Sequence, residues 1–79
     1  MDIKILGTGC KKCQQLETLT RDAVAGLELD ADISKITDPG EIAAWGVMAT
    51  PALVVDDQVV LAGRVPSEQA LTTLLGANR

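Results

Sequence analysis

Gly7-Thr8-Gly9-Cys10-Lys11-Lys12-Cys13 decides how this chain folds, and it holds both cysteines of the protein. The apolar run from Ile3 to Leu6 leads into it, and a helical pattern from Gln14 to Ala25 leaves it. A strand that ends in a glycine turn and opens a helix puts Cys10 at the helix N-terminus. Unpaired backbone N–H groups and the helix dipole favour an anion there. A thiolate is such an anion, so the Cys10 thiol is expected to have a lowered pKa. Thiols in C-x-x-C sites reach roughly 3.5 to 7.5. Residues three apart on a helix lie about 5–6 Å from each other, a spacing that suits a disulfide between Cys10 and Cys13.

Upstream, residues 2–6 read as strand one, short, apolar and β-branched. Downstream, Leu16, Leu19 and Ala23 mark the buried stripe of a helix over about 11–25, with Gly26 as its C′ residue. Cys13 begins that stripe and Cys10 stands beyond it, so Cys13 is expected to be partly covered and Cys10 exposed. Glu17 and Arg21 form an i,i+4 pair on the outer face. Leu27 to Ile36 alternates apolar with polar residues, which predicts a second strand with an acidic outer row, placed at a sheet edge.

Asp38-Pro39-Gly40-Glu41 is a helix start, with Asp38 as cap, Pro39 in the first turn and Glu41 completing a capping box. This short helix covers about 39–45 and ends at Gly46, with Trp45 packing onto the sheet. Ala52–Val55 and Val59–Ala62 form a hairpin around Asp56-Asp57-Gln58. Ser67 caps a last helix over about 67–75, with Leu71, Leu74 and Leu75 inward and Gly76 ending it. The order is β-α-β-α-β-β-α. A helical crossover makes strands one and two parallel neighbours. The expected fold is α/β: a four-stranded mixed sheet, strand one central, with helices on both faces.

The 79 residues predict one domain over 1–79. Hydrophobic residues make up 47% of the chain, enough for a core, and Trp45 is the one aromatic, so aliphatic side chains must fill it. Net charge is −4 with no Lys/Arg block, which gives nucleic-acid binding little support. No apolar stretch approaches the roughly 20 residues of a membrane span, and Met1 leads directly into strand one without a signal-peptide core. A cytoplasmic monomer is the default expectation. In a reducing compartment a close cysteine pair is more often catalytic or metal-binding than a structural staple.

With these residues placed, the chain resembles the thioredoxin-fold family, and more closely its small prokaryotic redox-active disulfide proteins. Gly7-Thr8-Gly9-Cys10-Lys11-Lys12-Cys13 and Ala49-Thr50-Pro51-Ala52-Leu53-Val54-Val55 carry the resemblance. It implies that Pro51 is cis and lies beside the cysteines. It also implies that the backbone of Ala49 and Thr50 pairs with the substrate chain. Without the resemblance, Pro51 reads simply as a residue that cannot donate to a sheet ladder. Three features depart from ordinary thioredoxin. Gly9 replaces an aromatic residue, Lys11-Lys12 replaces Gly-Pro, and Lys4 stands where a buried acid is usual.

The reading is a small thiol–disulfide oxidoreductase. Cys10 is the nucleophile and Cys13 the resolving thiol. Lys11 and Lys12 either hold the thiolate or are plain solvated charges. No cofactor and no resident metal are expected. The partners are a disulfide-containing protein and an upstream electron donor such as a thioredoxin reductase-like flavoenzyme, with no nucleic acid and no membrane span. The alternative is a Cu(I) carrier using the same two thiolates, as the resemblance of Gly-x-Gly-Cys-x-x-Cys to copper-chaperone loops suggests. Those domains run β-α-β-β-α-β, however. A third reading is an interaction module with a vestigial redox motif. Two cysteines and no histidine cannot make a usual structural zinc site.

Overall fold

The strands and helices follow from where the apolar side chains recur, and in a computed structural model, which describes residues 1–77, they take the expected order. They are β1 (Asp2–Leu6), α1 (Lys11–Gly26), β2 (Asp32–Ile36), α2 (Pro39–Ala44), β3 (Ala52–Val55), β4 (Gln58–Ala62) and α3 (Glu68–Ala77). The sheet runs β2-β1-β3-β4. β1 is parallel to β2 and antiparallel to β3, and β3 is antiparallel to β4.

Side-chain alternation splits the core between the two faces. Ile3, Ile5, Leu53 and Val55 point at α1 and α3, against Leu16, Ala23, Leu71 and Leu75. Leu6, Ala52 and Val54 point at α2, against Ile42, with Trp45 packed on the rim. All four residues of β3 are buried, as expected of a strand covered on both faces. Each fully buried aliphatic side chain contributes roughly 1.5–3 kcal/mol. The hairpin register shifts between Leu53 and Val54: Val54 pairs with Val59, but Leu53 pairs with Leu61. Val60 is thus the extra residue of a bulge, and the slip keeps Leu61 facing the α1/α3 core.

Several boundaries differ from the sequence reading. β2 begins at Asp32, not Leu27, because Asp32 pairs with Asp2 and β1 offers no ladder before that point. Leu27, Leu29 and Ala31 still pack against the core, which is why they alternate. Gly26 is helical rather than C′. Glu28 takes the left-handed conformation instead (φ 54°), and its N–H reaches Ala25 O while Leu29 N–H reaches Val24 O. This is a Schellman closure with glutamate at C′. The hairpin loop is only Asp56-Asp57, both at positive φ, as a type I′ turn requires. α2 ends at Ala44 with Trp45 as its C-cap. α3 runs through Gly76 to Ala77.

Caps formed where expected. Asp38 accepts the Glu41 N–H at 3.0 Å, and Ser67 accepts the Ala70 N–H at 3.1 Å. No helix among the described residues is long and apolar enough to cross a membrane.

Candidate active site

Cys10 is the N-cap of α1. Its backbone is extended (φ −67°, ψ 167°), and its Sγ accepts the Cys13 N–H at 3.2 Å. The sulfur therefore occupies the position that a Ser or Asp oxygen takes in an ordinary cap. Cys10 and Cys13 are joined as a disulfide, with Cα atoms 5.0 Å apart. Cys10 is exposed and Cys13 is 5% exposed at the head of the Leu16–Thr20–Ala23 stripe. The loop is braced from the helix: Gln14 N–H donates to Cys10 O at 3.0 Å, and Gln14 Nε2 donates to Gly9 O at 3.2 Å.

Two glycines have separate duties. Gly9 has φ +90°, a conformation L side chains rarely adopt. An aromatic residue is strained in that backbone, so the departure at Gly9 belongs to the shape of this loop. Gly7 is needed for space: a Cβ there would overlap Cys13 Sγ and stand 3.0 Å from Cys13 Cβ. The sequence marks Gly7 as part of the glycine turn that ends the strand, and its close approach to Cys13 Sγ is a tertiary fact.

The second half of the site arrives through the sheet. Leu6 pairs with Ala52, so Gly7 and Pro51 leave neighbouring strand ends. The Thr50–Pro51 peptide bond is cis. Pro51 is buried, while Ala49 and Thr50 are exposed, as are Lys11 and Lys12. The Gly63 N–H donates to Pro51 O at 2.8 Å and ties the β4–α3 loop to the same end.

The charged residues near Cys13 are paired with one another. A cleft of about 40 Å³ beside it is shared by Glu17, Lys35 and Thr37. Glu17 meets Arg21 at 3.1 Å and Lys35 at 3.4 Å. The Arg21 hydrogen bond first, and Lys35 next, hold its carboxyl below the ordinary glutamate value. A carboxylate held ionised in this way is a poor base. Lys4 belongs to the fold instead. It pairs with Asp2 at 2.5 Å, lies 3.7 Å from Asp57, and its ammonium stands 5.6 Å from the centre of the Trp45 ring. The Asp2 hydrogen bond raises its pKa. Sequence reasoning also missed Thr20. It is fully buried and its Oγ1 donates to Leu16 O at 2.7 Å. Its position, four residues after Leu16 and three before Ala23, was the available signal.

The copper-carrier alternative is not favoured. Its β-α-β-β-α-β order is not the one observed, since α2 separates β2 from β3 and α3 follows the hairpin.

Known proteins agree with this architecture. Residues 1–76 match the family described as thioredoxin domain. A thioredoxin of Methanocaldococcus jannaschii is 45% identical over 69 residues, 87% of this chain and 79% of its own length. A thioredoxin of Methanothermobacter thermautotrophicus is 41% identical over 75 residues, 95% of this chain and 97% of its own. With an exposed sulfur capping a helix, its partner three residues on, and a match spanning nearly the whole sequence, the chain belongs to the thioredoxin-domain family and is a thiol–disulfide oxidoreductase.

Proposed function

We propose that Cys10 attacks and Cys13 resolves. The Cys10 thiolate attacks one sulfur of a substrate disulfide, forming a mixed disulfide and expelling the other substrate sulfur as a thiolate, which takes a proton from water. Cys13 then gives up its proton to water and attacks Cys10 Sγ. The Cys10–Cys13 disulfide forms and the second substrate thiolate leaves. Two electrons have passed to the substrate. A reductase partner restores the dithiol; a thioredoxin reductase-like flavoenzyme has the matching chemistry. The exposed backbone of Ala49 and Thr50 receives the substrate chain beside Pro51. The protein works as a monomer in the reducing cytoplasm, without cofactor or metal.

The observation that carries the assignment of roles is the hydrogen bond from Cys13 N–H to the exposed Cys10 Sγ. In the dithiol state that bond becomes charge-assisted, and together with the helix dipole it lowers the Cys10 thiol pKa. Among the described residues no donor reaches Cys13 Sγ, which is buried beside Gly7.

Two single variants test this with a model protein disulfide and a supplied donor. Cys10→Ser is expected to abolish exchange. Cys13→Ser is expected to keep the first attack and to accumulate a mixed disulfide with substrate. Comparable trapping by both variants, or alkylation of the two thiols at equal rates at neutral pH, would contradict the assignment.

A further inference from the structure

We propose that the open groove between α1 and the β4–α3 loop receives an acidic segment flanking the disulfide of the partner protein, held by Lys11, Lys12 and Arg64. The proposal rests on the exchange reading above and adds the chemistry of the substrate.

Three observations support it. The first is how the cations are used. Among the described residues, Lys4, Arg21 and Lys35 each pair with a carboxylate. Lys11, Lys12 and Arg64 are exposed and make no ion pair. In a chain with 11 acidic residues against 7 basic ones, acids are not scarce. Two of these three cations lie inside the redox motif, and the third is in the β4–α3 loop. Lys11 and Lys12 separate the two cysteines, and Arg64 follows Gly63, which is bonded to Pro51 O.

The second is the groove itself, about 510 Å³, lined by Lys11, Gln14, Gln15, Thr18, Leu19 and Val65. It starts one residue after the attacking sulfur and reaches the residue after Arg64. No acid lines it. Leu19 and Val65 offer it apolar surface for an aliphatic stem, Lys11 lines it as its cation, and Arg64 is the chain neighbour of Val65. A glutamate side chain, apolar in its stem and anionic at its tip, fits that pattern.

The third is where the acids went. Asp2 pairs in register with Asp32, the Asp56 side chain accepts the Asp2 N–H, and Asp57 completes the hairpin turn. This acidic pole lies a full strand away from the cysteines, about 16 Å for five residues. At the redox end Asp38, Glu41 and Glu68 sit at the starts of α2 and α3, where the helix dipoles offset them. Glu17, in the cleft beside Cys13, is paired with Arg21 and Lys35, so the acids at the redox end are offset and the separation of charge orients an acidic partner toward Cys10.

Two disulfide-linked peptides test the proposal, identical except for Glu or Lys on both sides of the cysteines. The reduced full-length protein reacts with each in single turnover, and with a small neutral disulfide as reference. The Glu-flanked peptide is expected to react about tenfold faster at low salt, and less than about twofold faster near 0.5 M salt, where screening shortens the reach of charge. Arg64→Glu should cut the low-salt preference at least threefold and leave the neutral disulfide's rate unchanged. Arg64→Gln should fall between the two. Equal peptide rates at low salt, a preference for Lys flanks, or an unchanged preference in Arg64→Glu would overturn the groove's role while the neutral reference still reacts. No reaction with any of the three disulfides would overturn the exchange reading, and this proposal with it.

Discussion

The two ends of the sheet are built on opposite plans. At the end opposite the cysteines, polar groups satisfy one another. Asp56 N–H donates to Asp2 O, Asp2 N–H to Asp56 Oδ1, Asp32 N–H to Met1 O, and the N-terminal ammonium to Asp30 O. Lys4 neutralises two of the acids. At the redox end Cys10, Ala49, Thr50, three unpaired cations and a wholly exposed Met48 all lie at the surface. One end closes the fold and the other leaves its polar and apolar groups available. A change at the closed end should therefore move stability alone, and a change at the open end should move chemistry.

The strongest challenge to this division is Gly7→Ala, because Gly7 is where fold and chemistry touch. A methyl group there overlaps Cys13 Sγ, and overpacking of this kind costs typically about 1–3 kcal/mol. Denaturant unfolding should show that loss, and exchange should slow as well because Cys13 Sγ is displaced. A variant as stable and as active as the parent would mean the loop relaxes freely.

A smaller effect is expected from Lys11→Gln with Lys12→Gln. Both ammonium groups are exposed, so water and salt screen them. Losing them should make the Cys10/Cys13 couple more reducing by no more than a few tens of millivolts, about 30 mV being about 1.4 kcal/mol for two electrons. The shift should shrink at high salt. A salt-independent shift, or one toward a more oxidising potential, would show that the lysines act through loop shape.

The smallest effect belongs to the closed end. Asp57 has φ 66° in the hairpin turn, where glycine is the usual occupant. Asp57→Gly should stabilise by about 0.5 kcal/mol through relief of that conformation, partly offset by the lost 3.7 Å contact with Lys4. Exchange rates should not change. A slower exchange would break the division between the two ends.

The local pieces were legible in the chain. Period-two and period-3.6 patterns found every strand and helix, Asp38 and Ser67 marked two helix starts, and C-x-x-C after a strand located the sulfur at the helix N-terminus. These signals are readable because propensity, capping and alternation act between residues close in sequence. Where β2 begins, why Gly26 is helical while Glu28 turns left-handed, and how Val60 bulges to return Leu61 to the core depended on register with a distant strand or on packing. So did the space Gly7 leaves for Cys13 Sγ, the tie from Gly63 to Pro51, and the meeting of Lys11 and Val65 across one groove. The sequence by itself determined which elements form and which sulfur caps α1. Only the tertiary structure decided what surrounds that sulfur, because those neighbours come from β3 and the β4–α3 loop and meet it only once the sheet has fixed their register.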